Sequence, residues 1–129
     1  MKTIALAAAL LTLAAIDARA DVYVIANPAL KVGAEDVVDV FTGEKQLAGG
    51  VKLVPIDNAA AQTEFLDKVL HMNAAKYGAL WTKKAFREGL TAPPVRGSDL
   101  EVAGAVKSTP GGIGYVTAPV PGVTVIRKY

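Results

Sequence analysis

The chain alternates short, unbroken apolar runs with longer stretches whose apolar residues recur at helical spacing. Val22-Tyr23-Val24-Ile25 is continuously apolar and rich in β-branched residues, which predicts a strand covered on both faces, as in the interior of a mostly parallel sheet. Asn27-Pro28 ends it. Glu35 and Asp36 then suit the first turn of a short helix, where carboxylates complement the dipole, and Gly43 closes that helix. Val37, Val38 and Phe41 supply its expected buried face.

Residues 51–56 predict a second strand, entered from the Gly49-Gly50 turn and left through Asp57-Asn58. Asn58 is the expected N-cap of a helix running to Met72, in which Phe65, Leu66, Val69 and Met72 fall on one side and Glu64, Asp67, Lys68 and His71 on the other. Asn73 caps a further helix to about residue 88, with Gly89 as its stop. At 100° per residue Tyr77, Trp81 and Ala85 take one side and Ala75, Ala79 and Phe86 another. Only Lys76, Lys83 and Arg87 remain as a polar stripe, so this helix is expected to be mostly buried, with its aromatic residues in the core.

Pro93-Pro94 breaks the pattern, and Ser98 with Glu101 forms a capping box for a fourth helix that ends at Pro110-Gly111-Gly112. Residues 113–116 and 123–126 predict two short strands, joined by a loop with Pro119, Pro121 and Gly122. They either form a hairpin or flank another strand; the sequence allows both. Strand, helix, strand, three helices and two strands make a layered α/β domain with a mostly parallel sheet flanked by helices. No internal repeat, heptad or low-complexity tract interrupts it.

Residues 1–20 do not belong to that pattern. Lys2, the apolar run 4–16 and Ala18-Arg19-Ala20 are the basic start, apolar middle and small-residue cleavage site of a secretion signal. A membrane span needs about 20 apolar residues, and this run has 13 before Asp17 and Arg19 close it. Removing 20 of the 129 residues leaves 109, one domain of ordinary size (residues 21–129) acting in the periplasm or as a secreted protein.

Of the 14 basic and 12 acidic side chains, Lys2, Arg19 and Asp17 leave with the signal, so the formal charge falls to +1. That balance, without a basic run interleaved with aromatics, excludes nucleic acid as an expected partner. Cysteine is absent, which removes disulfides, thiol catalysis and thiolate metal sites. Nothing calls for a cofactor.

Six pieces then carry a resemblance: Val24-Ile25-Ala26-Asn27-Pro28, Val40-Phe41-Thr42-Gly43, Leu53-Val54-Pro55-Ile56-Asp57, Phe65-Leu66-Asp67-Lys68-Val69-Leu70, Tyr77 with Trp81 and Phe86, and Gly112-Ile113-Gly114-Tyr115-Val116. In this order they resemble one lobe of the type II periplasmic solute-binding proteins, in particular small single-lobe relatives of the phosphate-transport binding proteins. The resemblance implies a non-enzymatic domain that binds a small oxyanion for transport or sensing, with a membrane transporter or sensor as partner. Two departures bear on that. The phosphate-binding relatives carry an arginine and a Ser-Gly-Thr turn at a helix N-terminus after the Val-Pro strand, where backbone N–H groups and the dipole receive the anion; here the segment reads Asp57-Asn58-Ala59-Ala60-Ala61-Gln62-Thr63. The transport proteins also close two lobes around their ligand, and 109 residues make one.

The candidate ligand-binding residues are therefore Asn58, Gln62 and Thr63 at the start of that helix, set against plain capping by Asn58 and repulsion from Asp57. Asp67 and His71 have the spacing of two metal ligands on a helix, but no third ligand accompanies them. A serine triad would have to combine His71 with Ser98 or Ser108, and no Gly-x-Ser-x-Gly elbow exists. No catalytic or metal residue is assigned. Two functions fit: weak binding of a small phosphate-type oxyanion, or a partner-binding module for a membrane sensor, transporter or outer-membrane protein that takes no small ligand. For either, the exported protein is expected to begin at Asp21. Intact-mass spectrometry of the exported material checks this, and a membrane-bound species retaining residues 1–20 would refute it.

Overall fold

A computed structural model describes residues 21–129; the expected secretion signal lies outside the described residues. The elements are β1 (Tyr23–Ala26), a 3-10 turn (Ala34–Asp36) running into α1 (Val37–Phe41), β2 (Leu47–Ala48), β3 (Val51–Lys52), β4 (Val54–Pro55), β5 (Asp57–Asn58), α2 (Gln62–Phe65) continued by a π-helical turn (Leu66–Leu70), α3 (Ala74–Glu88), β6 (Val95–Arg96), α4 (Asp99–Ser108), β7 (Gly112–Val116) and β8 (Thr124–Lys128). The α/β class, with a sheet flanked by helices, is as the sequence predicts.

Strand direction differs from the expectation. The main sheet has the order β4-β7-β1-β8, and β1 is antiparallel to both β7 and β8. Parallel pairing is confined to β4 with β7, and to β5 with β6 in a separate two-stranded sheet. An apolar run records coverage of both faces, which helices give to a strand whatever the direction of its neighbours. The last two strands do not form a hairpin: they run on either side of β1, which settles the alternative left open by the sequence. The expected strand 51–56 is broken up. Gly49 and Gly50, both with positive φ (56° and 78°), close a tight hairpin between β2 and β3, and only β4 joins the main sheet, at an edge where Pro55 is tolerated.

Each face of the sheet has its own core. Val24, Ala26, Ile113 and Tyr115 face Val37, Val40, Phe41, Phe65, Leu66 and Val69, whereas Ile25 and Val116 face Val102, Ala103 and Val106 of α4. On the first face the Phe65 and Tyr115 rings stack with centroids 3.9 Å apart, and Phe41 meets Phe65 edge-on at 4.7 Å. On the second, α4 approaches so closely that a Cβ on Gly114 would lie 2.7 Å from Val102 Cγ1. Asn27, at the end of β1, donates to the carbonyls of Val106 and Lys107 (both 3.1 Å) and so satisfies the end of α4. In α1 the buried side chains are Val37, Val40 and Phe41; Val38, expected in the core, is exposed.

Three helix expectations are corrected. Asn58 does not cap the helix that follows: it lies in β5, and α2 begins at Gln62 with Ala61 as its N-cap. The π turn then tucks Leu70 inward beside Phe65, Leu66 and Val69 and ends at His71, whose φ of 53° stops the helix before Met72. Helix α3 starts at the Asn73 cap (Lys76 N–H to Asn73 Oδ1, 2.8 Å) and stops at Gly89 in the left-handed conformation, as expected. It is not mostly buried. Among its residues only Tyr77 and Trp81 are, and Phe86 is 92% exposed. The helical wheel showed apolar residues on two sides, but only one side meets the body of the protein.

Trp81 Nε1–H donates to the Phe41 carbonyl (3.1 Å), and its ring lies 3.0 Å from where a Cβ on Gly43 would stand. At φ 77° Gly43 holds a conformation that favours glycine, and the close ring adds to the cost of any larger residue. Trp81→Ala is expected to cost about 3–5 kcal/mol, whereas Phe86→Ala should change stability by less than about 0.5 kcal/mol. Urea denaturation of both variants is the check; equal losses would contradict the assignment of Trp81 to the core and Phe86 to the surface.

Candidate functional site

The segment that follows β4 is where the sequence places the ligand, and its first two residues turn inward. The Pro93-Pro94 break brings β6 alongside β5 in parallel register, Asp57 opposite Val95 and Asn58 opposite Arg96. Asp57 is 2% exposed, and its carboxylate accepts the Tyr115 hydroxyl on Oδ1 and the Tyr77 hydroxyl on Oδ2, each at 2.9 Å. Asn58 is buried completely. Its Nδ2 donates to Asp99 Oδ1 (2.8 Å) and to the Tyr115 carbonyl (3.0 Å), and its Oδ1 accepts the Ala60 N–H (3.0 Å). Asp99, in the first turn of α4, is held in turn by the Thr117 N–H and by its hydroxyl at 2.6 Å. Both donor hydrogens of the Asn58 amide are thus committed within the fold.

Gln62 and Thr63 are placed differently. They open α2, half-buried and exposed respectively, and border a cleft of about 570 Å³ together with Glu64, Asp67, His71, Asn73 and Lys76. The structure therefore brings Gln62 and Thr63 together and sets Asn58 behind them in the core. Lys76 is the lysine that lines this cleft, and Glu64 and Asp67 are the carboxylates that line it. Asp67 and His71 both reach it, yet among the described residues no group of three or more His, Asp or Glu side chains is gathered to hold a metal. Ser98 caps α4 by accepting the Glu101 N–H, and the Ser108 hydroxyl donates to the Ala105 carbonyl. Neither serine borders the cleft that His71 lines.

Sequence reasoning missed the Asp57, Tyr77 and Tyr115 cluster. The signal was present, since an aspartate directly after an apolar run cannot enter a core without donors, and tyrosine hydroxyls are the ones available in apolar segments. Burial pushes Asp57 up to about 6 from its ordinary 3.8, outweighing the two tyrosine hydrogen bonds that pull the other way. Burial first, and then the neighbouring carboxylate, also push both phenols up, so they remain donors at any physiological pH.

No protein-family model matches the sequence, and no curated protein does. Among solved structures, the fold matches that of an ABC-type phosphate transport receptor from Vibrio cholerae with a TM-score of 0.54 at 15% identity, covering 84% of this chain and 46% of the receptor. PstS from Borrelia burgdorferi gives a TM-score of 0.45 at 17% identity, over 75% of this chain and 41% of that protein. The first of these shows a likeness of fold to part of that receptor. The chain spans less than half the length of either receptor.

The raised Asp57 has a thermodynamic consequence. Below pH 3.8 the carboxyl is protonated in both folded and unfolded chains; between 3.8 and about 6 the folded chain holds the proton more tightly, and that advantage is lost as pH rises through this window. Above pH 6 the folded state carries the full cost of the buried charge, roughly 3 kcal/mol. Asp57→Asn is isosteric and cannot ionise, so its stability relative to wild type is expected to rise by about that amount between pH 4 and pH 7. Urea melts across this range measure the difference, and a difference independent of pH would show that Asp57 titrates normally.

Proposed function

We propose that this chain is an exported, non-catalytic domain of the solute-binding-protein type that acts by contacting another protein, such as a membrane sensor, transporter or outer-membrane protein. The observation that carries this reading is the inward turn at Asp57 and Asn58. In the phosphate-binding relatives this segment supplies the arginine and the Ser-Gly-Thr turn; here its first two side chains are consumed by the fold, and the residues after them are alanines. Arg96, which the β5–β6 register sets beside Asn58, is an exposed side chain outside the Gln62 and Thr63 cleft.

A second reading is favoured by the cleft itself. Gln62 and Thr63 offer an amide and a hydroxyl beside Lys76, which suits a weak site for a small phosphate-type oxyanion. Each charge-assisted hydrogen bond that is missing removes roughly one to two decades of affinity, and Glu64 and Asp67 repel an anion from the same cleft. Phosphate is therefore expected to bind no tighter than about 0.1 mM. Isothermal titration of the purified, dialysed protein at moderate salt tests this. A stoichiometric micromolar isotherm, with a stability gain of roughly 2.7 kcal/mol at a hundredfold excess of phosphate over its dissociation constant, would make the protein an oxyanion receptor instead.

A further inference from the structure

Helix α3 is fastened along one side only. Tyr77 and Trp81 are its buried residues, with Leu80 and Lys84 partly covered beside them. Lys84 is already neutralised by Glu44 (2.6 Å) and Glu88 (3.1 Å). At 3.6 residues per turn, Ala75, Ala79 and Phe86 fall within about 40° of one another on the side roughly opposite the anchors. Thr82 lies beside them and Gly78 a little further round, and all five are exposed. A lone exposed phenylalanine is ordinary, but here an aromatic side chain 92% exposed ends a face of small and apolar residues along a 15-residue helix.

Charge says what would cover this face. Lys76, Lys83 and Arg87 lie together within about 40° of arc along one of its flanks. Among the described residues no carboxylate pairs with any of them. A partner laid over Ala75, Ala79 and Phe86 therefore meets a row of unneutralised cations along one border, and a complementary surface carries Asp or Glu there. The small side chains let another helix come close to α3, and Phe86 stands proud as an anchor at its C-terminal end. Strand addition does not suit the face, because a helix keeps its backbone hydrogen bonds to itself.

We infer that the outer face of α3 is the docking surface for an amphipathic helix of another protein, apolar where it meets Ala75, Ala79 and Phe86 and acidic where it meets Lys76, Lys83 and Arg87. This rests on the reading of the chain as a protein-binding module and names its surface and the chemistry of the partner. The test is site-specific photo-crosslinking in the native host, with Phe86→p-benzoylphenylalanine on α3 and, in parallel, Leu100→p-benzoylphenylalanine on α4, where the side chain is 77% exposed. The expected result is one predominant adduct at position 86, mapped by mass spectrometry to a segment with apolar residues at helical spacing and Asp or Glu along one flank. Adding Lys83→Glu with Arg87→Glu should lower its yield about tenfold, and a melting curve matching that of the parent shows that the variant is folded.

No adduct at either position, an adduct to a second copy of this chain, or one to a segment without acidic residues overturns the proposal. An adduct at position 100 alone would keep the protein-binding reading but move the surface to α4, which also overturns it. Sedimentation with phosphatidylglycerol vesicles separates the remaining source of negative charge: retention that Phe86→Ser abolishes would assign the face to a membrane and not to a helix.

Discussion

Asp57 stands where β5, α3 and β7 come together, and the two tyrosines that hold it belong to the last two of these. A carboxylate in that position is costly unless its oxygens are paired, and here each oxygen takes one hydroxyl at 2.9 Å. The same contacts satisfy two phenols that would otherwise be buried without acceptors. Tyr115 continues into the aromatic stack with Phe65 and Phe41, and Tyr77 fastens α3 one turn before Trp81. Removing the carboxylate would therefore loosen the helix and the sheet together.

The arrangement bears on the proposed oxyanion reading. A solute-binding lobe of the phosphate type needs polar groups that face outward at the start of the helix after the Val-Pro strand, because an anion must reach them. In this chain the first polar residues of that segment point inward, where Asp57 binds the tyrosines and Asn58 links β5 to α4 and β7. One segment cannot serve both ends. What remains outside is Gln62 and Thr63, without an arginine to orient a tetrahedral anion by a bidentate contact.

The sheet and α3 differ in how much surface they leave open. Both faces of the central strands β1 and β7 are covered, one by α1, α2 and the π turn, the other by α4 packed down on Gly114. That cover is complete over β1 and β7, while β8 at the edge of the sheet is largely exposed. Helix α3 lies outside this sandwich, attached by a tyrosine and a tryptophan, and so leaves most of its surface exposed. Rigid anchoring on one side with apolar and cationic side chains on the other is what a docking element requires.

Much of this was legible in the sequence where the cause is local. The coverage of β1 on both faces follows from its unbroken apolar run, the ends of α3 from Asn73 and Gly89, the start of α4 from Ser98 and Glu101, and the α/β class from the order of elements. Each depends on residues within a few positions of one another, whose steric and hydrogen-bonding preferences act before the chain is folded. Tertiary structure alone decided that β7 and β8 flank β1 in antiparallel register, that Asp57 and Asn58 belong to the core, and that α3 shows Phe86 to solvent while Trp81 is buried. Those outcomes depend on what lies opposite: a hydroxyl supplied by Tyr115, 58 residues away from Asp57, or, among the described residues, no layer packed against the outer side of α3. A periodic pattern states which side of a helix or strand can be buried, and only the packed chain determines which side is.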